Sequence, residues 1–170
     1  MKRVSVIQLI CFGGIFTAIT VILQAAPVYL PAIGLALSPG STLPVALATI
    51  INVNLGIMVY ISSVFILFMI SIEEAMICLF ATGLIGLTLA ALLYRRSFFI
   101  SIFTSSATLA VGMMILTYIV AIPGFSEFTA TLSLAVTTLI YFIFSLFYIS
   151  IWAIILRRFT HRFPCDIFKS

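Results

Sequence analysis

Charged residues are scarce in this chain, and they fall at the ends of long apolar runs. Lysine and arginine together number 8 and aspartate and glutamate 4 among 170 residues, whereas a soluble domain carries roughly 25% charged residues. A chain with so little charge cannot cover a water-facing surface on all sides. We therefore predict an all-α, polytopic membrane protein that forms a single transmembrane domain over residues 1–170.

The basic residues predict the topology. An apolar run of about 20 residues crosses a bilayer once. Six crossings place every lysine and arginine on one side: Lys2, Arg3, Arg95, Arg96, Arg157, Arg158, Arg162 and Lys169. Three of the four acids, Glu73, Glu74 and Glu127, then fall on the other side. Because basic residues near helix ends stay in the cytoplasm, we expect a six-transmembrane-helix bundle in the cell membrane with both termini cytoplasmic.

The spacing of breaks predicts where the helices lie. We expect helices over about residues 4–26, 43–53, 55–71, 73–94, 97–122 and 130–156. Residues 27–44 contain four prolines, which remove hydrogen-bond donors and break helices. We expect this apolar stretch to form an outer loop that lies at the membrane interface or dips back into the protein.

Residues 43–71 allow two interpretations. A single helix would place Glu73 and Glu74 inside, against the positive-inside rule. Two helices that break at Asn52-Val53-Asn54-Leu55-Gly56 satisfy that rule, since asparagine and glycine favour turns. The first of the two would be short unless it starts near Pro31.

The few polar residues near the outer helix ends are candidates for a ligand site. Small-molecule sites are apolar pockets with a few hydrogen-bonding groups. Ser38 and Ser41 of the outer loop belong to this polar group. The substrate-binding residues that we predict are Gln24, Tyr29, Thr42, Glu73, Tyr118, Glu127 and Tyr141. For each of them, ordinary interfacial or packing placement is the alternative.

Two adjacent acids, Glu73 and Glu74, begin the fourth predicted helix. Carboxylates stabilise a helix N-terminus, and this role explains the pair without a ligand. Alternatively, one of them binds a donor or cation of a ligand. Successive helical positions diverge by about 100°, so at most one of the two faces a given cavity.

The sequence lacks the combinations of residues that catalysis or metal binding requires. His161 is the one histidine, on the cytoplasmic side, and the cysteines Cys11, Cys78 and Cys165 lack the spacing of a metal site. No phosphate-binding glycine motif occurs. We therefore expect no enzyme, no cofactor and no metal site, and we attribute the basic residues to topology and anionic headgroups rather than to nucleic acid.

Small residues lie four apart on the first helix, at Gly14 and Ala18. Such a pair lets helix backbones approach closely. The face they share serves either internal packing or docking onto another membrane subunit.

Several of these features occur together in one known family. After the basic start and the proline-rich loop come Leu43-Pro44, Asn54-Leu55-Gly56-Ile57-Met58-Val59-Tyr60, and Gly83-Leu84-Ile85-Gly86 closing on Arg95-Arg96. Together they resemble the substrate-binding S-components of energy-coupling-factor transporters. The family often has a Gly-Pro-x-x-Gly motif between the second and third helices, and of this motif the chain has only Gly56. The segment Gly14-Ile15-Phe16-Thr17-Ala18 corresponds to the family's AxxxA coupling motif on the first helix.

The resemblance implies a function as a binding and transport subunit. Such a protein captures a vitamin-like solute from outside and topples in the membrane. A separate transmembrane coupling protein and two ATPases drive it, and Gly14 and Ala18 would be the docking residues. The alternative is a non-transporting multispan scaffold, a partner subunit of an envelope complex, with a solid core and no bound solute.

Overall fold

A computed structural model describes residues 6–95, 97–121 and 133–162, with the side chains of 7–93, 97–121 and 133–159. In this part of the chain every regular element is helical. The α-helices are α1 (Val6–Tyr29), α2 (Pro31–Leu37), α3 (Thr42–Ile51), α4 (Val53–Ile70), α5 (Ile72–Ile77), α6 (Gly83–Arg95), α7 (Phe98–Tyr118) and α8 (Leu134–Arg162). A 3₁₀ turn, Ser38–Ser41, joins α2 to α3, and a π turn, Cys78–Thr82, joins α5 to α6.

Six stretches of these helices are long and apolar enough to cross a membrane. We number them spans 1 to 6: Ile7–Tyr29, Pro31–Ile51, Val53–Ile70, Ile72–Leu93, Phe98–Tyr118 and Leu134–Phe159. Large apolar side chains are exposed along spans 1, 3, 5 and 6 and in the first part of span 2, as a lipid-facing surface requires, whereas span 4 exposes only Ile72. The prediction of an all-α, multi-pass membrane protein is confirmed, while the sidedness of the termini stays a prediction.

The predicted outer loop over residues 27–44 is wrong. Span 1 continues through Pro27 to Tyr29, and span 2 begins at Pro31 after the single non-helical residue Leu30. Proline is tolerated in the first turn of a helix, where its missing N–H would have no partner. Pro31 and Pro39 both occupy such first-turn positions, so span 2 stays helical through the proline-rich stretch.

The predicted break between two helices is confirmed at Asn52. This residue is extended, with φ −157° and ψ 129°, and its side chain accepts a 2.8 Å hydrogen bond from the backbone N–H of Asn54. Asparagine is a preferred helix N-cap for this reason. Ser71 repeats the arrangement before α5, where its hydroxyl accepts from the N–H of Glu74 at 3.5 Å.

The later helices differ from their predicted bounds by a few residues. Helix α7 ends at Tyr118, before the predicted residue 122, and α8 continues to Arg162, beyond the predicted residue 156. Arg157 of α8 lies over the Phe98 ring at 5.3 Å. This contact places Arg157 at the end of the bundle where α6 ends and α7 begins.

The core has two main parts. One joins spans 2, 4, 5 and 6 around Leu89, Leu109 and Ile149. The other joins spans 1, 3 and 4 around Val21 and Leu67. Span 4 packs on span 2 and contributes to both parts, so it holds the bundle together and positions the polar residues described next.

Candidate ligand site around Gln24

Four buried polar side chains from two spans converge on the buried amide of Gln24 in a third span. We call all five side chains the Gln24 cluster: Gln24 of span 1, Ser38 and Ser41 of span 2, and Glu74 and Thr82 of span 4. Each is at most 9% exposed. This is the largest group of side chains hydrogen-bonded to one another in the part of the chain that the structure describes.

The amide of Gln24 uses its full hydrogen-bonding capacity within the cluster. Its Nε2 donates to Ser38 Oγ at 3.0 Å and to Glu74 Oε2 at 2.7 Å. Its Oε1 accepts from Ser41 Oγ and from Thr82 Oγ1, both at 2.7 Å. A primary amide has two donor hydrogens and two acceptor lone pairs, so all four are satisfied and the side chain is held in one position.

The 3₁₀ turn of span 2 aims two serines at the same amide. Side chains three residues apart eclipse one another in a 3₁₀ helix. Ser38 and Ser41 have this spacing, and both reach Gln24. The segment Ser38–Ser41, whose sequence Ser-Pro-Gly-Ser is typical of a turn, therefore forms one side of the cluster.

The π turn of span 4 brings Glu74 and Thr82 onto one face. In a regular α-helix, residues eight apart lie about 80° from a common face, because each turn holds 3.6 residues. A π turn holds about one residue more. Eight positions then come close to two full turns, which explains why both side chains reach Gln24.

Gly34 sets the distance between spans 1 and 2 beside the cluster. A Cβ atom at this position would collide with the backbone of Ala26 and Pro27. The two helices therefore approach through backbone contact, which brings Ser38 within reach of Gln24. Any larger residue at position 34 would push α2 away from α1.

The structure buries one of the two adjacent acids, as expected, but not the one that we predicted to bind substrate. Glu73 is exposed on the outside of the bundle, and Glu74 is 8% exposed and bonded to Gln24. The assignment of Glu73 to the site is corrected accordingly. The face that turns inward depends on the rotation of α5, which Ser71 fixes by capping it.

The other predicted site residues do not join the cluster. Tyr29 and Tyr118 are 71% and 47% exposed at the ends of their helices. Tyr141 is buried, and its hydroxyl shares a 2.8 Å hydrogen bond with Thr117 of span 5. Thr42 is buried next to the cluster, where its carbonyl oxygen lies against Gly86 of span 4. Glu127 lies outside the described residues.

Sequence reasoning placed Gln24, Ser38 and Ser41 among the polar candidates and missed Thr82. In the sequence Thr82 lies four residues before Gly86, a spacing of small residues that is typical of helix packing. In a regular α-helix, a spacing of eight residues does not place Glu74 and Thr82 on the same face. The π turn brings them onto one face, and the sequence alone does not predict this turn.

The predicted docking pair lies on the surface. Gly14 and Ala18 are exposed on span 1, and a Cβ atom at Gly14 would meet no heavy atom within 4 Å. Internal packing, the other interpretation of this pair, does not occur. The two residues leave an open strip along the outer side of span 1.

The donor set of the cluster is one carboxylate with neutral oxygens and an amide nitrogen. Among the described residues no three histidine, cysteine, aspartate or glutamate side chains come together to hold a metal ion. In chemical terms this donor set suits hydrogen-bonding groups and one positive charge. Comparison of the chain with models of protein families, with curated proteins and with solved structures found no match.

Proposed function

We propose that this protein is a membrane-embedded binding and transport subunit for a small vitamin-like solute, with the Gln24 cluster as its ligand site. The convergence of four polar side chains on the buried amide of Gln24 carries the proposal. Polar groups inside a membrane bundle are costly and mark substrate pathways. Packing alone would be served by apolar residues at these positions.

The position of the cluster agrees with capture from outside. Gln24 lies five residues before the end of α1, about 8 Å along the helix axis, and Glu74 lies near the start of α5. The distribution of basic residues predicts that these ends face outward. The S-component resemblance supports the same role, with energy supplied by a separate coupling protein and two ATPases.

A second candidate is a non-transporting scaffold in an envelope complex. The exposed strip at Gly14 and Ala18 favours it, because small residues on an unoccupied helix face permit close docking of another helix. The same strip serves the transport proposal as a docking face for a coupling protein. Bound solute therefore separates the two candidates.

The first test identifies the small molecules that co-purify with the protein. Purification in mild detergent from the native host, followed by mass spectrometry of the bound molecules, should find a vitamin-sized solute with wild type. Thr82→Val removes one hydroxyl of the cluster with little change of shape, and it should lower solute occupancy several-fold. Thr82→Ser, which keeps the hydroxyl, should restore it.

Thr104→Val is the matched control for this test. Thr104 is exposed on span 5, outside the cluster, so this variant should retain the solute like wild type. An empty wild-type protein that co-purifies with envelope or signalling proteins would refute the transport proposal. It would support the scaffold instead.

Gly14→Leu tests the docking face. Because the space beside Gly14 is open, we expect the variant to fold and to retain the solute. We expect it to lose its membrane partner in a pull-down, since the larger side chain prevents close helix approach. Unchanged partner recovery in Gly14→Leu and in Ala18→Leu would show that this strip faces lipid only.

A further inference from the structure

The carboxylate of Glu74 is buried inside the bundle, and among the described side chains the partner that donates to it is the neutral Gln24. The Oε2 atom of Glu74 accepts one hydrogen bond, from the neutral amide of Gln24 at 2.7 Å. Taking an ionised carboxylate out of water costs several kcal/mol unless a counter-charge compensates it. An acid within a membrane span is therefore a functional hypothesis that needs a named partner.

The basic residues that the structure describes lie far from Glu74. In sequence the basic residues of the chain occur before α1, between α6 and α7, and from Arg157 onward. Arg95 follows Glu74 by 21 residues of nearly continuous helix, about 30 Å away. Arg157 contacts Phe98 at the start of α7, the same end as Arg95. Among the described residues, the end of α6 at Arg95 and the Arg157 side chain thus lie at the opposite end of the bundle from Glu74.

The titratable groups near Glu74 are acidic or neutral. Glu73 precedes it and is exposed, and Cys78 follows one turn later. From span 3, Tyr60 packs against the same group of residues as Cys78. From span 1 the contact is Gln24, which is uncharged. None of these groups brings a positive charge to the carboxylate.

We infer that Glu74 binds a monovalent cation supplied from outside the chain, either a proton or a cationic group such as an ammonium. One carboxylate matches one positive charge, and a divalent ion would call for a second acid, whereas Glu73 points away. The surrounding Ser38, Ser41 and Thr82 hydroxyls add neutral oxygens, which can ligate a hard cation or accept hydrogen bonds from an ammonium group. The inference goes beyond transport, since a scaffold could also hold such a charge.

The test compares Glu74→Gln with Glu73→Gln in purified protein. The amide that replaces the Glu74 carboxylate keeps its shape and can still accept from Gln24, so the variant should fold. Thermal unfolding is followed in sodium, ammonium and methylammonium chloride, with N-methylglucamine chloride as the ionic-strength control, and across the pH range from mildly acidic to mildly alkaline. Infrared spectroscopy detects the carbonyl band of a protonated carboxyl group.

A bound cation or proton should stabilise wild type and Glu73→Gln against thermal unfolding, and it should not stabilise Glu74→Gln. At a cation concentration about 100 times the dissociation constant, the melting temperature should rise by roughly 5–10 °C. A carboxyl band that Glu74→Gln removes, together with stabilisation at lower pH, identifies the source as a proton. Stabilisation by sodium, ammonium or methylammonium at constant pH identifies a cation from solution.

Equal responses of wild type and Glu74→Gln to every cation and to pH, with no carboxyl band assigned to Glu74, would overturn the inference. The outcome is independent of the proposed function. Cation binding without a co-purified solute would keep the inference and remove the transport proposal. A co-purified solute, together with equal responses of wild type and Glu74→Gln, would keep the transport proposal and remove the inference.

Discussion

Gln24→Leu is expected to lower the free energy of unfolding by about 2–4 kcal/mol. Leucine is close to glutamine in size, so the change removes the four hydrogen bonds of the amide with little loss of packing. A side-chain hydrogen bond between membrane helices contributes about 0.6 kcal/mol on average. Leaving the buried acceptor of Glu74 without its donor adds a desolvation cost of about 1 kcal/mol or more.

Reversible unfolding of the protein in mixed micelles, with increasing amounts of a denaturing detergent, measures this change. Thr104→Val is the control, because it removes a polar group from an exposed position of span 5. We expect this control to stay within about 0.5 kcal/mol of wild type. Equal unfolding free energies for the two variants would mean that the cluster contributes nothing to stability.

The number of spans and the break at Asn52 were predictable because they depend on local properties. Hydropathy and length determine which segments suit a bilayer. Asn52 can cap a helix through its own side chain. Neither property requires knowledge of how the helices pack, so the sequence contains the information directly.

The fate of the proline-rich stretch was not predictable in the same way. Proline breaks a helix in its interior and is tolerated in its first turn. Whether Pro31 and Pro39 break or begin a helix depends on where each helical segment starts. That start is fixed by packing, including the backbone contact of Gly34 with Ala26 and Pro27.

The sequence likewise did not predict which face of span 4 turns toward the core. In a membrane bundle the helices are apolar on all sides, so periodicity does not show which face is buried. The choice of Glu73 over Glu74 had no basis in spacing. The π turn then changes the register within the span, so Thr82 joins Glu74 on a face that a regular helix would separate.

Gly112→Ala is expected to destabilise the protein by up to about 2 kcal/mol, although alanine is the better helix former. A Cβ atom at position 112 would collide with the carbonyl oxygen of Phe80, which lies inside the π turn of span 4. Backbone atoms cannot rotate away as a side chain can. Overpacking of this kind typically costs about 1–3 kcal/mol, and the gain of about 1 kcal/mol from replacing glycine in a helix offsets part of this cost.

Gly14→Ala provides the matched comparison, since the same substitution meets open space there. We expect it to leave stability unchanged or to raise it slightly. Detergent-induced unfolding of both variants separates helix propensity from the collision. If Gly112→Ala were as stable as Gly14→Ala, spans 4 and 5 would not meet through backbone contact at Phe80.

The collision should also reach the candidate site. Phe80 and Thr82 belong to the same π turn, so moving the turn away from α7 displaces the hydroxyl that donates to Gln24. Gly112→Ala is therefore expected to lower solute occupancy as Thr82→Val does, even though residue 112 lies outside the cluster. Normal occupancy in a destabilised Gly112→Ala protein would show that the π turn supports packing alone and does not position the ligand site.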